Sequence, residues 1–275
     1  MSPADTREAR IPKRIHYCWF GGQPLSADAQ AMIATWRRFC PDYEIIEWNE
    51  SNFDINENDY VREAYEAKKW AFVTDYVRLK ALYEQGGFYM DTDVEVVKSL
   101  DPLRVYDAVS GYESETCIQT GTIGACRDNE WIGMLLRDYD NRHFVQLDGS
   151  YDTTTNVVVI TRLTSQRYCL ELDGTIKQFG NNMILLPFEY LCAKNYQTGK
   201  VMRTDNTYTI HHFNGSWLSE DESIYLRTFQ VYYEKIDWAS SSVFRHKLAA
   251  LITVYHLHGM DGVFSKIIKY LKSRL

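Results

Sequence analysis

An α/β fold built on a Rossmann-like sheet is expected from three observations. The chain opens with a strand–helix–strand unit, Ile11 to Phe20, Ser26 to Phe39 and Tyr43 to Trp48, the start of a parallel sheet. The first strand runs into Gly21-Gly22, an order that lets backbone approach a ligand at the strand's C-terminal end. A later helix, 70 to 85, ends at Gly86-Gly87 and feeds an acidic strand. The 275 residues suit one large domain, or one with a small appendage.

The elements follow in order. Ser26 is a candidate N-cap for a helix whose apolar positions Ala29, Ile33, Trp36 and Phe39 keep helical spacing. Pro41-Asp42 turns the chain into the second strand, and Asn49 to Asn58 is loop. Asp59 to Lys69 reads as a polar helix and Trp70 to Gln85 as a longer one, apolar at Phe72, Val73, Tyr76, Val77, Leu79, Leu82 and Tyr83. Strands are expected at Ala108 to Tyr112 and Gln119 to Ala125, and a helix at Trp131 to Asn141. Val157 to Leu163 fits a strand or a helix. Met183 to Leu186 is a short strand stopped by Pro187, and Tyr208 to Trp217 a strand entering a loop at Asn214-Gly215.

Composition narrows the function classes. A net charge of −7 argues against nucleic acid as the main partner. Aromatics at 14% supply stacking surfaces suited to sugars and bases. The six cysteines show no Cys-x-x-Cys spacing and are expected to be free thiols in a reducing compartment. The polar start and the lack of a long apolar run point to a cytoplasmic protein that does not cross a membrane.

The chemistry gathers at Gly86 to Val96. Read with a period of two, Phe88, Met90, Thr92, Val94 and Val96 share one side and Tyr89, Asp91, Asp93 and Glu95 the other. Asp91 and Asp93 then point the same way, roughly 6–7 Å apart, a spacing at which two carboxylates hold one hard divalent cation. Phosphate oxygens fill the open positions of such a cation. An exposed hairpin edge with solvated acids is the alternative. Asp75 and Arg78 lie on one helix face three residues apart, either a surface ion pair or part of the acidic site. Adjacent His211 and His212 point to opposite faces of a strand, so one packs inward and the other faces a site. Trp19 either packs in the core or stands at the Gly-Gly loop.

Taken together, the segments Ile11-Pro-Lys-Arg-Ile-His-Tyr-Cys-Trp-Phe-Gly-Gly22, Trp48-Asn49-Glu50, Ala71-x-x-Thr-Asp75-Tyr-x-Arg78, Leu82-Tyr-x-x-Gly-Gly-x-Tyr-x-Asp-Thr-Asp93 and His-His-x-x-Gly-Ser-Trp217 resemble glycosyltransferase family 32. This is the DXD-bearing group that includes bacterial capsule and O-antigen transferases. A more distant similarity runs to the glucosyltransferase domains of the large clostridial toxins. The resemblance spans roughly residues 11 to 217 and implies a GT-A fold, with a mixed sheet flanked by helices. It also implies a nucleotide-sugar donor, Mn2+ (or Mg2+) and retention of anomeric configuration. Carried over by position, Trp19 stacks on the donor's base, and Asp75 and Arg78, with Thr74 beside them, contact the donor sugar and its phosphates. Asp91 reaches the ribose and, through water, the metal, Asp93 binds the metal directly, and Tyr89 joins the donor contacts. Ser216 and Trp217 hydrogen-bond the diphosphate. A His-x-x-Gly segment supplies a metal ligand in related retaining enzymes, which favours His212 over His211.

Two other readings compete. Asp91-x-Asp93-Val94 resembles the nucleophile motif of haloacid-dehalogenase phosphohydrolases, although that motif normally follows a strongly apolar strand near the domain start. A sugar-nucleotide-binding scaffold without turnover is the third. Residues 1–240 are expected to form the catalytic domain and 241–275 a basic amphipathic helical tail. From Val243 onward six Lys/Arg face one acid, Asp261, and Val263, Phe264, Ile267, Ile268 and Leu271 form a stripe beside Lys266, Lys269 and Lys272. That pattern fits a helix on an anionic membrane surface, or one docked on the domain. With the first, the acceptor is a lipid-linked glycan at the inner face of the plasma membrane.

Overall fold

The computed structural model describes residues 9–214, 220–236 and 242–272. The elements run β1 (Arg14–Cys18), α1 (Ala27–Phe39), β2 (Glu44–Trp48), α2 (Asp59–Glu66), α3 (Trp70–Gln85), β3 (Gly87–Met90), β4 (Val94–Val96), β5 (Ala108–Ser114), β6 (Cys117–Ile118), β7 (Thr122–Ala125), α4 (Glu130–Arg137) and α5 (Asn156–Tyr168). Then come β8 (Lys177–Phe179), β9 (Met183–Leu186), α6 (Phe188–Leu191), β10 (Thr209–His211), α7 (Glu220–Lys235) and α8 (Ser242–Lys272).

The main sheet has the order β2-β1-β3-β7-β5-β9-β8, with β6 beside β5. Strands β2, β1 and β3 are parallel, β7 opposes β3 and β5, and β9 runs with β5. Strands β1, β2, β3, β5 and β9 therefore end at one common edge. The chain crosses from β1 outward in both directions, to β2 and to β3, and that reversal is where open α/β sheets bind ligands. This mixed sheet between helices agrees with the α/β architecture expected from the sequence.

Both faces of the sheet are covered, as parallel strands require. Phe88 and Met90 pack with Ile33 and Trp36 of α1 on one face. Tyr89 packs with Val73, Val77 and Leu82 of α3 and with Trp131 of α4 on the other. Full burial of a side chain such as Phe88 contributes about 2–3 kcal/mol. Ser26 caps α1 as expected, its Oγ accepting from the Ala29 amide at 3.1 Å.

Several boundaries differ from the sequence reading. β1 begins at Arg14 because Pro12 lacks an amide and the Arg10 and Ile11 amides bond the Arg104 carbonyl instead. α2 stops at Glu66, where Lys68 turns left-handed (φ 56°). The ambiguous segment near 157–163 is helix α5, closed by Cys169 at φ 52°. Of the expected 208–217 strand, Thr209–His211 form β10, 212–214 are not strand, and 215–217 lie outside the described residues. The acidic strand is not continuous: β3 ends at Met90, residues 91–93 form a turn closed by Val94 N–H to Asp91 O (3.0 Å), and β4 joins a separate ribbon with β10. All six cysteines are free.

The chain divides into two compact units, residues 1–194 with 201–214, and 195–200 with 215–275. The sequence reading draws its line at 240/241 on charge, whereas these units follow packing. In the second unit α7 and α8 pack around Phe229, which meets His246 at 5.0 Å between ring centroids, and around the fully buried Ala249. The Arg245 Nε–H donates to the Tyr233 carbonyl (2.7 Å). α8 is interrupted at Gly259, whose φ is 64°. The side chains of 261–272, and with them the apolar stripe and its lysines, lie outside the described residues. No described helix is long and apolar enough to cross a membrane.

Candidate active site

The site forms at the C-terminal edge of the main sheet, and Arg78 is its centre. α3 buries this residue, leaving its side chain 5% exposed. Its Nη2 lies 3.2 Å from Asp75 Oδ1 and 3.4 Å from Asp91 Oδ1. Nη1–H donates to the Thr120 carbonyl (2.7 Å), Nε–H donates to the Thr74 carbonyl (3.3 Å), and the guanidinium covers the Tyr89 ring at 4.6 Å. Burial opposes its charge, but Asp91, Tyr89 and Asp75 outweigh that and keep it protonated. The Asp75–Arg78 pair is thus an interior one, and the surface ion pair weighed from the sequence is corrected by its burial.

Asp75 pays for its position in ionisation. Burial pushes its carboxyl up to about 6, with the Asp91 charge adding and Arg78 resisting. Asp91 is steered from two sides. The Tyr89 hydroxyl donates to its Oδ1 (2.9 Å), and its amide donates to the Gly121 carbonyl (2.9 Å).

Asp93 belongs to the β4–β10 ribbon. The Asn214 amide donates to its Oδ2 (2.8 Å), the His212 amide donates to its carbonyl (2.9 Å), and His211 Nε2 lies 3.2 Å from its Oδ1. Burial opposes both charges of that pair, yet their mutual attraction holds Asp93 below and His211 well above the ordinary range. Phe213 adopts φ 55°, strained for a bulky residue, and this kink lets its ring stack on His211 (4.0 Å) while Asn214 reaches Asp93.

The geometry separates the two histidines, and it reverses the preference for His212. The ligand atoms of Asp91, Asp93 and His211 lie within 4.8 Å of one another. His212 points away, its Nε2 2.8 Å from Glu95 Oε2. A single step along an extended strand flips the side chain, so only one of the two reaches the acids. Gly121 makes room for the ring, because a Cβ there would sit 2.7 Å from His211 Nδ1.

Trp19 follows β1, partly buried, with its Nε1–H donating to the Gln23 carbonyl (2.6 Å). The Gly-Gly loop beside it is pinned by the Gly21 amide on Glu50 Oε1 (2.7 Å) and faces the Trp70 indole, which leaves no room for a Cβ at Gly21. Thr74 turns its hydroxyl onto the Ala71 carbonyl (2.7 Å). Ser216 and Trp217 lie outside the described residues.

Sequence reasoning missed several neighbours. Asn156, at the start of α5, is buried beside Asp75 and makes no well-formed hydrogen bond. Cys192, fully buried, lies against His211. The Lys194 ammonium donates to the His212 carbonyl (2.6 Å). Glu113, at the end of β5, is within electrostatic reach of His211. None sits in a motif. The asparagine flanking the ambiguous 157–163 segment was the one visible signal.

Comparison with known proteins fits this edge. Residues 26–110 match the family described as glycosyltransferase sugar-binding region containing DXD motif, so the resemblance read from the motifs is borne out over that stretch. Inositol phosphoceramide mannosyltransferase 3 of Schizosaccharomyces pombe is 27% identical over 164 residues, 54% of this chain and 43% of the yeast protein. The match therefore spans less than half of that relative's length. Among solved structures, PaToxG glycosyltransferase is 19% identical with a TM-score of 0.42, over 57% of this chain and 70% of the other. The galactosyltransferase LgtC, in complex with donor and acceptor sugar analogues, is 13% identical with a TM-score of 0.41, over 85% and 99%.

Proposed function

We propose, from the match of residues 26–110 to the DXD sugar-binding region of glycosyltransferases, that the chain is a metal-dependent retaining glycosyltransferase. It moves a hexose from a uridine-diphosphate donor to a glycan acceptor. One observation carries the proposal: Asp91, Asp93 and His211 converge at the edge where the sheet reverses direction.

Two carboxylates and one imidazole suit Mn2+ or Mg2+. Bound there, the ion neutralises charge on a departing diphosphate. The other roles belong to this chain's own residues. The Tyr89 hydroxyl and Arg78 fix the rotamer of Asp91, and the Asn214 amide fixes that of Asp93. Asp75, more basic than an ordinary carboxylate, accepts hydrogen bonds from sugar hydroxyls, with Asn156 beside it. Trp19 offers its exposed face to the base, and Ser216 and Trp217 are assigned to the diphosphate from sequence alone. In the transfer, the acceptor oxygen bonds the anomeric carbon as the carbon–phosphate oxygen bond breaks. That electron pair stays on the phosphate, which takes the hydroxyl proton. Attack on the same face gives retention.

The phosphohydrolase reading needs a free Asp91 nucleophile, whereas Asp91 Oδ1 is held by Tyr89 and Arg78. The basic segment from 243 onward supports a lipid-linked acceptor at an anionic membrane, as in capsule or O-antigen assembly. The test is nucleotide release from UDP-glucose, UDP-galactose, UDP-N-acetylglucosamine and GDP-mannose with Mn2+, followed by NMR of the product's anomeric configuration. Release from at least one donor is expected. Silence with all four, in Mn2+ and in Mg2+, would leave only the inactive scaffold.

A further inference from the structure

The carboxylates at this edge are unevenly partnered. Asp75 and Asp91 share Arg78, Asp93 pairs with His211, and Glu95 pairs with His212. Glu113 has no such arrangement: among the described residues it makes no hydrogen bond and no ion pair. It is partly buried at the end of β5, with His211 the one charged group bearing on it. Folds rarely leave a carboxylate half out of water without a partner, because its desolvation is uncompensated.

Its placement says what could complete it. β5 runs parallel to β3, so Glu113 and Asp91 end at the same edge, with β7 between them. Gly121, just before β7, touches both sides: its carbonyl takes the Asp91 amide and its α-carbon backs the His211 ring. Arg78 lies beside Asp91 and Asp75, while Glu113 is within electrostatic reach of His211. Glu113 is not among the three groups that converge as cation ligands. It is a hydrogen-bond acceptor at the same sheet edge as that group.

We propose that Glu113 is the acceptor-side residue of the reaction. Its carboxylate accepts a hydrogen bond from the attacking hydroxyl, of a sugar or of water, and holds that oxygen toward the anomeric carbon. It orients without keeping the proton. This inference rests on the transferase reading above, and the experiment separates the two.

Glu113→Gln and Glu113→Ala are compared with the wild type in three measurements. These are Mn2+ affinity by electron paramagnetic resonance, UDP affinity by calorimetry with Mn2+, and nucleotide release without a sugar acceptor from whichever of the four donors the wild type hydrolyses fastest. Both affinities and the donor KM are expected to stay within about twofold, while kcat falls about tenfold or more in the alanine variant. If the alanine variant does not fold, the isosteric glutamine variant carries the test with the same direction of change. A tenfold loss of Mn2+ affinity would make Glu113 part of the cation site and overturn the proposal, as would an unchanged kcat. A wild type inert toward all four donors would instead sink the transferase reading, and this inference with it.

Discussion

Asp75→Asn tests the electrostatics of the site most sharply, because it should make the protein more stable and less active. The carboxyl is 11% exposed, and burial pushes it from the ordinary 3.8 up to about 6 despite Arg78 at 3.2 Å. At 1.36 kcal/mol per pKa unit, holding it ionised in the fold costs about 3 kcal/mol at pH 8. The sign follows from proton counting. Between the unfolded and folded pKa values the folded state binds the extra proton, so raising the pH through this window removes stability. The same values give a cost of roughly half that at pH 5. Asparagine keeps the shape and never ionises. Urea denaturation should therefore show the variant more stable by roughly 2–3 kcal/mol at pH 8, with about half that gain at pH 5. Nucleotide release should fall at the same time. A variant less stable than the wild type at both pH values would mean that Arg78 fully compensates the charge, and the reasoning about Asp75 would be wrong.

Asp93→Asn should abolish Mn2+-dependent turnover and weaken Mn2+ binding at least about tenfold while the melting temperature changes little; tight Mn2+ binding in that variant would remove Asp93 from the site. Gly121→Ala places a Cβ 2.7 Å from His211 Nδ1, so the ring must swing away from Asp93, and resonance-detected Mn2+ affinity should drop about tenfold with donor contacts at Trp19 intact. For the tail, Lys266, Lys269 and Lys272 changed together to Glu should reduce binding to phosphatidylserine vesicles at low salt, and equal sedimentation of both forms would reject the membrane-surface role. Charge reversal is preferable to deleting residues 241–275, since deletion would strip Phe229 of α7 of its cover from α8.

The sequence showed most where a residue's neighbours in space are also its neighbours along the chain. α1 was visible from its Ser26 cap and four-residue spacing, and α3 from its stripe and Gly86. The motifs singled out Asp75, Arg78, Asp91 and Asp93, which the structure brings to one edge, because each sits inside a short run with its own spacing. What failed was long-range or directional. Alternation along 86–96 carried the strand through Asp91-Thr92-Asp93, yet the chain turns there and changes sheets. Polar side chains that favour turns were the missed sign. His211 and His212 were known to point apart, but register with β4, set 117 residues upstream by Val94 pairing with His211, decides which one meets Asp93. Asn156 and Glu113 have no local signature at all. Only the packing of α5 and β5 against the site gives them meaning.

The break after Met90 has a mechanical side. One acid, Asp91, is bolted to the large sheet through the Gly121 carbonyl, whereas the other, Asp93, rides on the small ribbon that α1 grips through the Trp36 indole N–H donating to Val94 O (2.7 Å) and Thr35 Oγ1 accepting from the Val96 amide (2.9 Å). The gap between the two acids is thus a joint between two frames. A change as remote as Trp36→Phe, which unhooks the ribbon without touching an acid, alters the bite of the site on whatever ion it holds.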